Sequence, residues 1–382
     1  MNILCLTDQF DGADHSAIEG VFGKYLAERA EVQLGFFDRS ADRAAIRGKR
    51  IVLPYACKHR KMLRTLESGL DLKRLDLVVV RNFLPVLGQM LKGRDRYGYR
   101  LGFWHSFPHD FRRVHEARLE KKAVSRKTLE YAWKRFREER RIGRADFLIT
   151  MSVAFRETFH PRLQKPCFIL PMGVDFKGLP SSAPRPIPPT AGPKKFIYSG
   201  AVDGLRQSAD LARAFHETPG DFILDFYTAS RNPTVRQIAE LPDPRIRLLP
   251  AVPRAELFRL MGGYDVGLGL LPNNELYRVS SPTKTFEYYA LGLPALINPL
   301  PEYREVFDDQ MAFYCDFTGE AIRRRIAELL AMPREMLAQR GARGRAAVLA
   351  KRNYQKLAEG LFDFLRARLP ASRTPTQAEE RS

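Results

Sequence analysis

Short apolar runs alternate with stretches of helical spacing along the whole chain. In the first half, β-type runs fall at Asn2–Thr7, Val32–Phe37, Ile51–Leu53, Leu75–Val80, Leu101–Trp104, Asp146–Thr150 and Phe168–Leu170. In the second half they fall at Phe196–Ser199, Phe222–Tyr227, Arg247–Leu249, Asp265–Leu271, Pro294–Asn298 and Phe313–Cys315. Alternating β and α units predict parallel sheets covered on both faces. The rhythm breaks over Pro180–Pro193, where six prolines exclude a central strand or helix. The pattern therefore predicts an α/β chain of two doubly wound, Rossmann-like domains facing a cleft, a usual place for a ligand. The expected domains are 1–178 and 195–370, joined by a linker at 179–194. The last helix can pack back on the first domain, and a disordered polar tail follows at 371–382.

One stretch stands apart: Ser280-Ser281-Pro282-Thr283-Lys284-Thr285-Phe286-Glu287-Tyr288-Tyr289-Ala290-Leu291-Gly292-Leu293-Pro294. It reads as a short helix with both ends marked. Ser281 suits the N-cap and Pro282 the first helical position, while Gly292 and Pro294 suit the exit. Lys284 in the first turn opposes the helix dipole, a poor position for stability and a good one for meeting a phosphate. Glu287 lies one turn later on the same face. The plain alternative is a Lys–Glu pair on a solvated helix. The run Tyr264–Pro272 before the stretch and Leu293–Asn298 within and after it read as strands, so the helix starts at a strand's carboxyl end. Ligands bind there in open α/β sheets.

Taken whole, the stretch resembles the S-P-x-K-x-F-E-Y-x-A-x-G-x-P pattern of family 4 glycosyltransferases of the GT-B fold. Phe196–Gly200 resembles the strand and glycine that open that family's donor domain. Arg206 falls where the family usually has a phosphate-binding lysine. Arg247–Pro253, with Glu256 and Leu257, resembles the segment that frames the nucleotide base. Ala145–Ser152 and Leu170–Asp175 resemble the end of its first domain. The resemblance implies a donor nucleotide sugar contacted by Gly200, Ala251, Val252, Ser280, Ser281, Thr283 and Glu287. It makes His105, Arg206 and Lys284 the catalytic candidates, with no cofactor and no metal. His105 follows the strand Leu101–Trp104, where the family has a histidine near the reacting carbon; otherwise it is a satisfied histidine at a strand end. Three departures stand out. Ala201 replaces an arginine, Val279 replaces the first of two paired glutamates, and the loop after Thr7 carries a single glycine.

Composition adds less. Hydrophobic residues make up 45% and charged residues 28%, as in an ordinary globular protein. No run is long enough to span a bilayer, and Asn2–Thr7 starts a strand where a signal peptide would need a basic and then an apolar region. Cys5, Cys57, Cys167 and Cys315 are scattered and read as buried thiols of a reducing compartment. The net charge of +19 is more informative. Residues 1–180 hold 35 Lys+Arg against 21 Asp+Glu, and the excess is densest from Phe111 to Arg144. Apolar positions recur there at helical spacing, which suits an anionic membrane surface. A merely solvated face or a nucleic-acid partner is the alternative, although no nucleic-acid motif accompanies it.

The expectation is a cytoplasmic enzyme, peripheral on the inner face of the cell membrane. It would move a hexose from a nucleotide diphosphate sugar to a lipid-linked surface glycan, with retention by resemblance. In an inverting enzyme, Asp14 or Asp110 could serve as base. Two other readings remain: a GT-B sugar-nucleotide epimerase, and a catalytically silent membrane- or polyanion-binding protein on the same scaffold.

Overall fold

The apolar runs fold as two separate sheets, one of eight strands and one of six. The structure is a computed structural model and describes residues 1–12, 15–109, 111–112, 136–180 and 192–369. The chain divides into two units: Met1–Pro171 with the segment from Tyr354 onward, and Met172–Asn353. Most of the proline-rich stretch and the tail fall outside the described residues.

In the first unit the strands are β1 (Asn2–Phe10), β2 (Glu31–Asp38), β3 (Ala45–Arg47), β4 (Arg50–Pro54), β5 (Leu77–Arg81), β6 (Arg100–His105), β7 (Phe147–Thr150) and β8 (Cys167–Ile169). Their order is β3-β4-β2-β1-β5-β6-β7-β8. All pairs are parallel except β3 with β4. β5, Leu-Val-Val-Val-Arg, is buried along its whole length, as a parallel strand covered on both faces should be. The strand β3 was not expected. It is three half-exposed or exposed residues, too short to show a period.

The final helix, Tyr354–Arg366, lies in this first unit. Its amphipathic face packs on the π-helical turn Ile18–Tyr25. Gly20 makes room for it: a Cβ there would lie 2.6 Å from the Tyr354 ring. Ser16 Oγ and Tyr354 OH are hydrogen-bonded at 3.0 Å. Phe364 reaches Phe147 and Phe168 at ring distances of 5.7 and 5.4 Å.

The second unit holds β9 (Lys194–Ser199), β10 (Phe222–Thr228), β11 (Ile246–Pro250), β12 (Val266–Leu268), β13 (Ala295–Ile297) and β14 (Phe313–Tyr314). Their order is β11-β10-β9-β12-β13-β14, parallel throughout. Strand order therefore reverses between β9 and β12, the place where a crevice opens at the carboxyl ends of an open sheet. In the first unit the equivalent reversal falls between β1 and β5.

The helix Thr283–Ala290 is clamped on two sides by glycines. A Cβ on Gly267 of β12 would lie 2.4 Å from the Tyr288 ring, and one on Gly269 would lie 2.3 Å from Thr285 Oγ1. On the other side, the long helix Arg334–Lys351 brings Gly344 against the Tyr289 ring and Gly341 against the Gly292 carbonyl. The helix is thus fixed by backbone-level contact, which side chains of ordinary size would not permit.

Among the described residues no helix is long and apolar enough to cross a membrane. The four cysteines are free thiols, with Cys5, Cys57 and Cys315 buried and Cys167 half-buried.

Candidate active site

The helix Thr283–Ala290 begins one residue later than its sequence implies. Pro282 holds the cap position in extended backbone, and no side chain caps the first turn. Ser281, the expected cap, is turned away: its hydroxyl donates to Glu302 Oε1 at 2.8 Å and accepts the Met172 N–H at 3.0 Å. The far end matches expectation. Gly292 has φ +77°, and the N–H groups of Gly292 and Leu293 bond the carbonyls of Tyr289 and Tyr288. That double bond pattern closes a helix only around a left-handed residue, which glycine supplies without strain.

The opened first turn lies where the second sheet reverses. Tyr288 ties the helix to the end of β9 by accepting the Ser199 N–H at 3.0 Å. Gly200 follows at φ +117°, a conformation that a side chain would strain. The turn Gly204–Arg206 comes next, capped by Asp203, whose Oδ1 accepts the Arg206 N–H at 2.9 Å. The Arg206 guanidinium also pairs with Asp203. Lys284 Nζ sits 3.4 Å from the centroid of the Tyr198 ring. It is enclosed and has no hydrogen-bond partner among the described residues. Burial, and then the charge of Arg206, hold its pKa well below the usual lysine range, against a smaller opposing pull from Asp203.

Lys284 and Glu287 share a face, yet they do not pair. Glu287 is buried and engaged by Arg254, whose Nε is 3.1 Å from its Oε1 and whose Nη2 bonds the same oxygen. The carboxylate expected to meet either the donor or Lys284 is therefore paired with Arg254. Arg254 was missed in the sequence. The signal was there: it is the first residue of its helix, after Pro253, and so opposes the dipole just as Lys284 does. The same loop carries Ala251, whose N–H bonds the Thr228 carbonyl at 3.2 Å, and half-buried Val252. Ser280 spends its hydroxyl hydrogen on the Tyr277 carbonyl at 2.7 Å. Thr283 is half-buried at the helix start. Ala201 is exposed and Val279 is buried.

In the first unit, His105 ends β6, and its Nδ1 lies 2.9 Å from Nε2 of buried His160. Phe103, Phe155 and Phe159 surround it, and a pocket edged by Asn82, His109 and Phe111 opens beside it. One strand away, at the reversal between β1 and β5, Asp8 meets Arg81, Asn82 and His109. Burial raises the Asp8 carboxyl, but the hydrogen bond from His109 and the charge of Arg81 outweigh it and hold the pKa well below the usual range. This cluster was not anticipated. Asp14, Asp110 and residues 113–135 of the basic stretch lie outside the described residues. No group of three or more potential metal ligands occurs among those described.

Residues 213–363 match the family model described as "Glycosyl transferase-like". No curated protein matches the chain in sequence. Among solved structures, sucrose-phosphate synthase from Thermosynechococcus elongatus is similar over 96% of this chain and 99% of its own, with a TM-score of 0.71 at 13% identity. A trehalose-6-phosphate structure from E. coli, bound with UDP-2-fluoro glucose, is similar over 95% and 99%, with a TM-score of 0.70 at 12% identity. An α,α-trehalose-phosphate synthase from Burkholderia xenovorans, in complex with glucose-6-phosphate, is similar over 96% and 100%, with a TM-score of 0.64 at 12% identity. The fold is GT-B, as the alternating pattern and the stretch Ser280–Pro294 led us to expect. A glycosyl transferase-like segment, residues 213–363, thus lies on that fold.

Proposed function

We propose that the chain transfers a hexose from a nucleoside diphosphate sugar, held in the second unit. The observation that carries this is the first turn of Thr283–Ala290: an uncapped helix start beside the Arg206 guanidinium and an enclosed Lys284 Nζ with no hydrogen-bond partner among the described residues. The uncapped turn and the enclosed lysine beside a second cation are each unfavourable in an empty fold, and one diphosphate offsets both. Breaking the sugar–phosphate bond places negative charge on the leaving phosphate. Donors fixed in advance on that charge lower the barrier most. Gly200 lets the backbone approach the phosphates. Ala251 and Val252 frame the base, and Ser280 and Thr283 line the approach to the helix start, with the Ser281 hydroxyl turned away to Glu302. Glu287, held by Arg254, orients the ribose hydroxyls. By the family resemblance His105 is the candidate for the histidine near the reacting carbon, with no cofactor or metal in the reaction. Retention of configuration follows from the family resemblance.

For the acceptor, the basic excess around Phe111–Arg144 supports a lipid-linked glycan at an anionic membrane surface, on the cytoplasmic side. One observation favours a second acceptor, a sugar phosphate: the similar structure from Burkholderia xenovorans is a complex with glucose-6-phosphate. A thermal-shift panel of UDP-, GDP- and ADP-sugars tests the donor reading. One nucleotide class should raise the melting temperature, and a flat panel would contradict it.

Two further results are expected. Because Lys284 is held below its ordinary pKa in the free protein, a bound diphosphate should pull that pKa back up. Binding then takes up a proton between the two values, and log affinity should fall as pH rises through that window. Calorimetry in buffers of different ionisation enthalpy would show the uptake. Second, Glu287→Gln should weaken binding of the bare nucleoside diphosphate about tenfold if Glu287 holds both ribose hydroxyls, since charged hydrogen bonds are worth about 1.5–3 kcal/mol. Unchanged affinity would make the Arg254–Glu287 pair structural.

A further inference from the structure

We propose that Glu302 is a positioning residue: it diverts the Ser281 hydroxyl from the amides of Thr283–Ala290 and so keeps that first turn open for a diphosphate. This rests on the nucleotide-sugar reading of the site. Serine is among the best helix caps, and Ser281 stands directly before Pro282, in the position where a cap was expected. A cap would satisfy the amides that the leaving group needs. Instead, the hydroxyl's one hydrogen goes to Glu302 Oε1 at 2.8 Å and one of its two lone pairs takes the Met172 N–H at 3.0 Å, which together fix its orientation.

Glu302 is well placed for this. It belongs to the short helix Pro301–Arg304, which follows β13 at the same sheet edge from which Thr283–Ala290 starts. Arg352 Nη2 lies 3.1 Å from the same carboxylate oxygen and 3.1 Å from Glu305 Oε2. The Arg352 carbonyl in turn accepts the Val174 N–H at 2.8 Å. Ser281, the incoming chain at Met172–Val174 and the outgoing chain at Arg352 thus converge on one carboxylate.

A purely structural explanation is weak. Among the described residues, Glu302 Oε2 and Arg352 Nε are buried without hydrogen-bond partners. Burial pushes the Glu302 carboxyl up to about 7, against Arg352 and the bond from Ser281. A buried ion pair is weak evidence of stabilisation, because apolar side chains in place of both partners often serve the fold as well, and Arg352 keeps Glu305 when Glu302 alone is replaced. What this carboxylate does supply is a fixed acceptor aimed at Ser281. A glutamine whose oxygen takes the Oε1 position would supply the same acceptor.

The test uses the full chain and calorimetry with UDP, GDP and ADP, each paired with its monophosphate. Glu302→Ala should reduce affinity for the preferred diphosphate about tenfold and change that for its monophosphate less than about twofold. Glu302→Leu keeps more of the volume and should do the same if the alanine form folds poorly. Glu302→Gln should remain near wild type. Adding Ser281→Ala to Glu302→Ala removes the competing hydroxyl and should restore most of the diphosphate affinity. Equal losses for mono- and diphosphate, or no restoration in the double variant, would overturn the proposal and leave the donor reading intact. A wild-type protein that binds none of the three diphosphates would remove the donor reading and this inference together.

Discussion

Lys284→Met should lower transfer about 100-fold or more while leaving the melting temperature unchanged or raised. The two halves of this result have one cause. In the free protein Lys284 Nζ is enclosed over the Tyr198 ring with no hydrogen-bond partner among the described residues. Its pKa is held down by burial and then by Arg206. The unfolded chain carries more protons than the folded one between the lowered value and the ordinary lysine value. Stability therefore rises with pH through that window, and Lys284 detracts from stability below it. Methionine fills a similar volume without a charge to desolvate. In the reaction the same nitrogen faces the charge growing on the leaving phosphate. Removing one such preorganised group typically costs 100- to 1,000-fold, or about 2.7–4 kcal/mol. Near-normal turnover in Lys284→Met would make the lysine a packing residue. A fall in both activity and melting temperature would point to misfolding instead.

Gly341→Val should be the most damaging single change to the fold of the second unit. A Cβ at Gly341 would lie 2.0 Å from the Gly292 carbonyl oxygen and 3.0 Å from Pro294 Cδ. Neither can easily move, because Gly292 occupies the left-handed position that closes the Lys284 helix and Pro294 directly precedes β13. The long helix must therefore separate from the Lys284 helix along a contact that also includes Gly344 and Tyr289. Overpacking against rigid backbone costs about 3 kcal/mol or more, which for a unit of this size is a fall of roughly 6–12 °C. Gly263→Ala is the control: its nearest neighbour would be 3.5 Å away, so a shift of less than about 2 °C is expected. Differential scanning calorimetry of the two variants decides the matter, and equal melting temperatures would contradict the clamp.

Most of the fold was legible because parallel strands buried on both faces leave near-continuous apolar runs. Every run expected to form a strand does so, and the β9–β12 reversal follows from their order. β3 was not legible, since three residues at an edge carry no period. At the site, local chemistry was legible and partners were not. The sequence pointed to Lys284 at a helix start and to Gly292 at the exit, both of which depend on positions a few residues apart. It also made Ser281 the cap, and offered Glu287 the ribose hydroxyls or Lys284 as partners. In both cases distant residues intervene. Glu302, 21 positions later, takes the Ser281 hydroxyl, and Arg254, 33 positions earlier, takes Glu287. The His105–His160 pair and the Asp8–Arg81 cluster were hidden for the same reason, lying 55 and 73 positions apart. The four glycines that clamp the helix could be seen in the sequence, but nothing there showed what they faced.

The central claim is that this chain transfers a hexose from a nucleoside diphosphate sugar. The most direct measurement is incubation of the purified protein with radiolabelled UDP-, GDP- and ADP-sugars, together with a membrane extract and, separately, with sugar phosphates. Label is expected in a lipid-extractable or sugar-phosphate product from one nucleotide class, and none with Lys284→Met. Conversion of the free nucleotide sugar without transfer, or no conversion by a correctly folded protein with any donor, would contradict it.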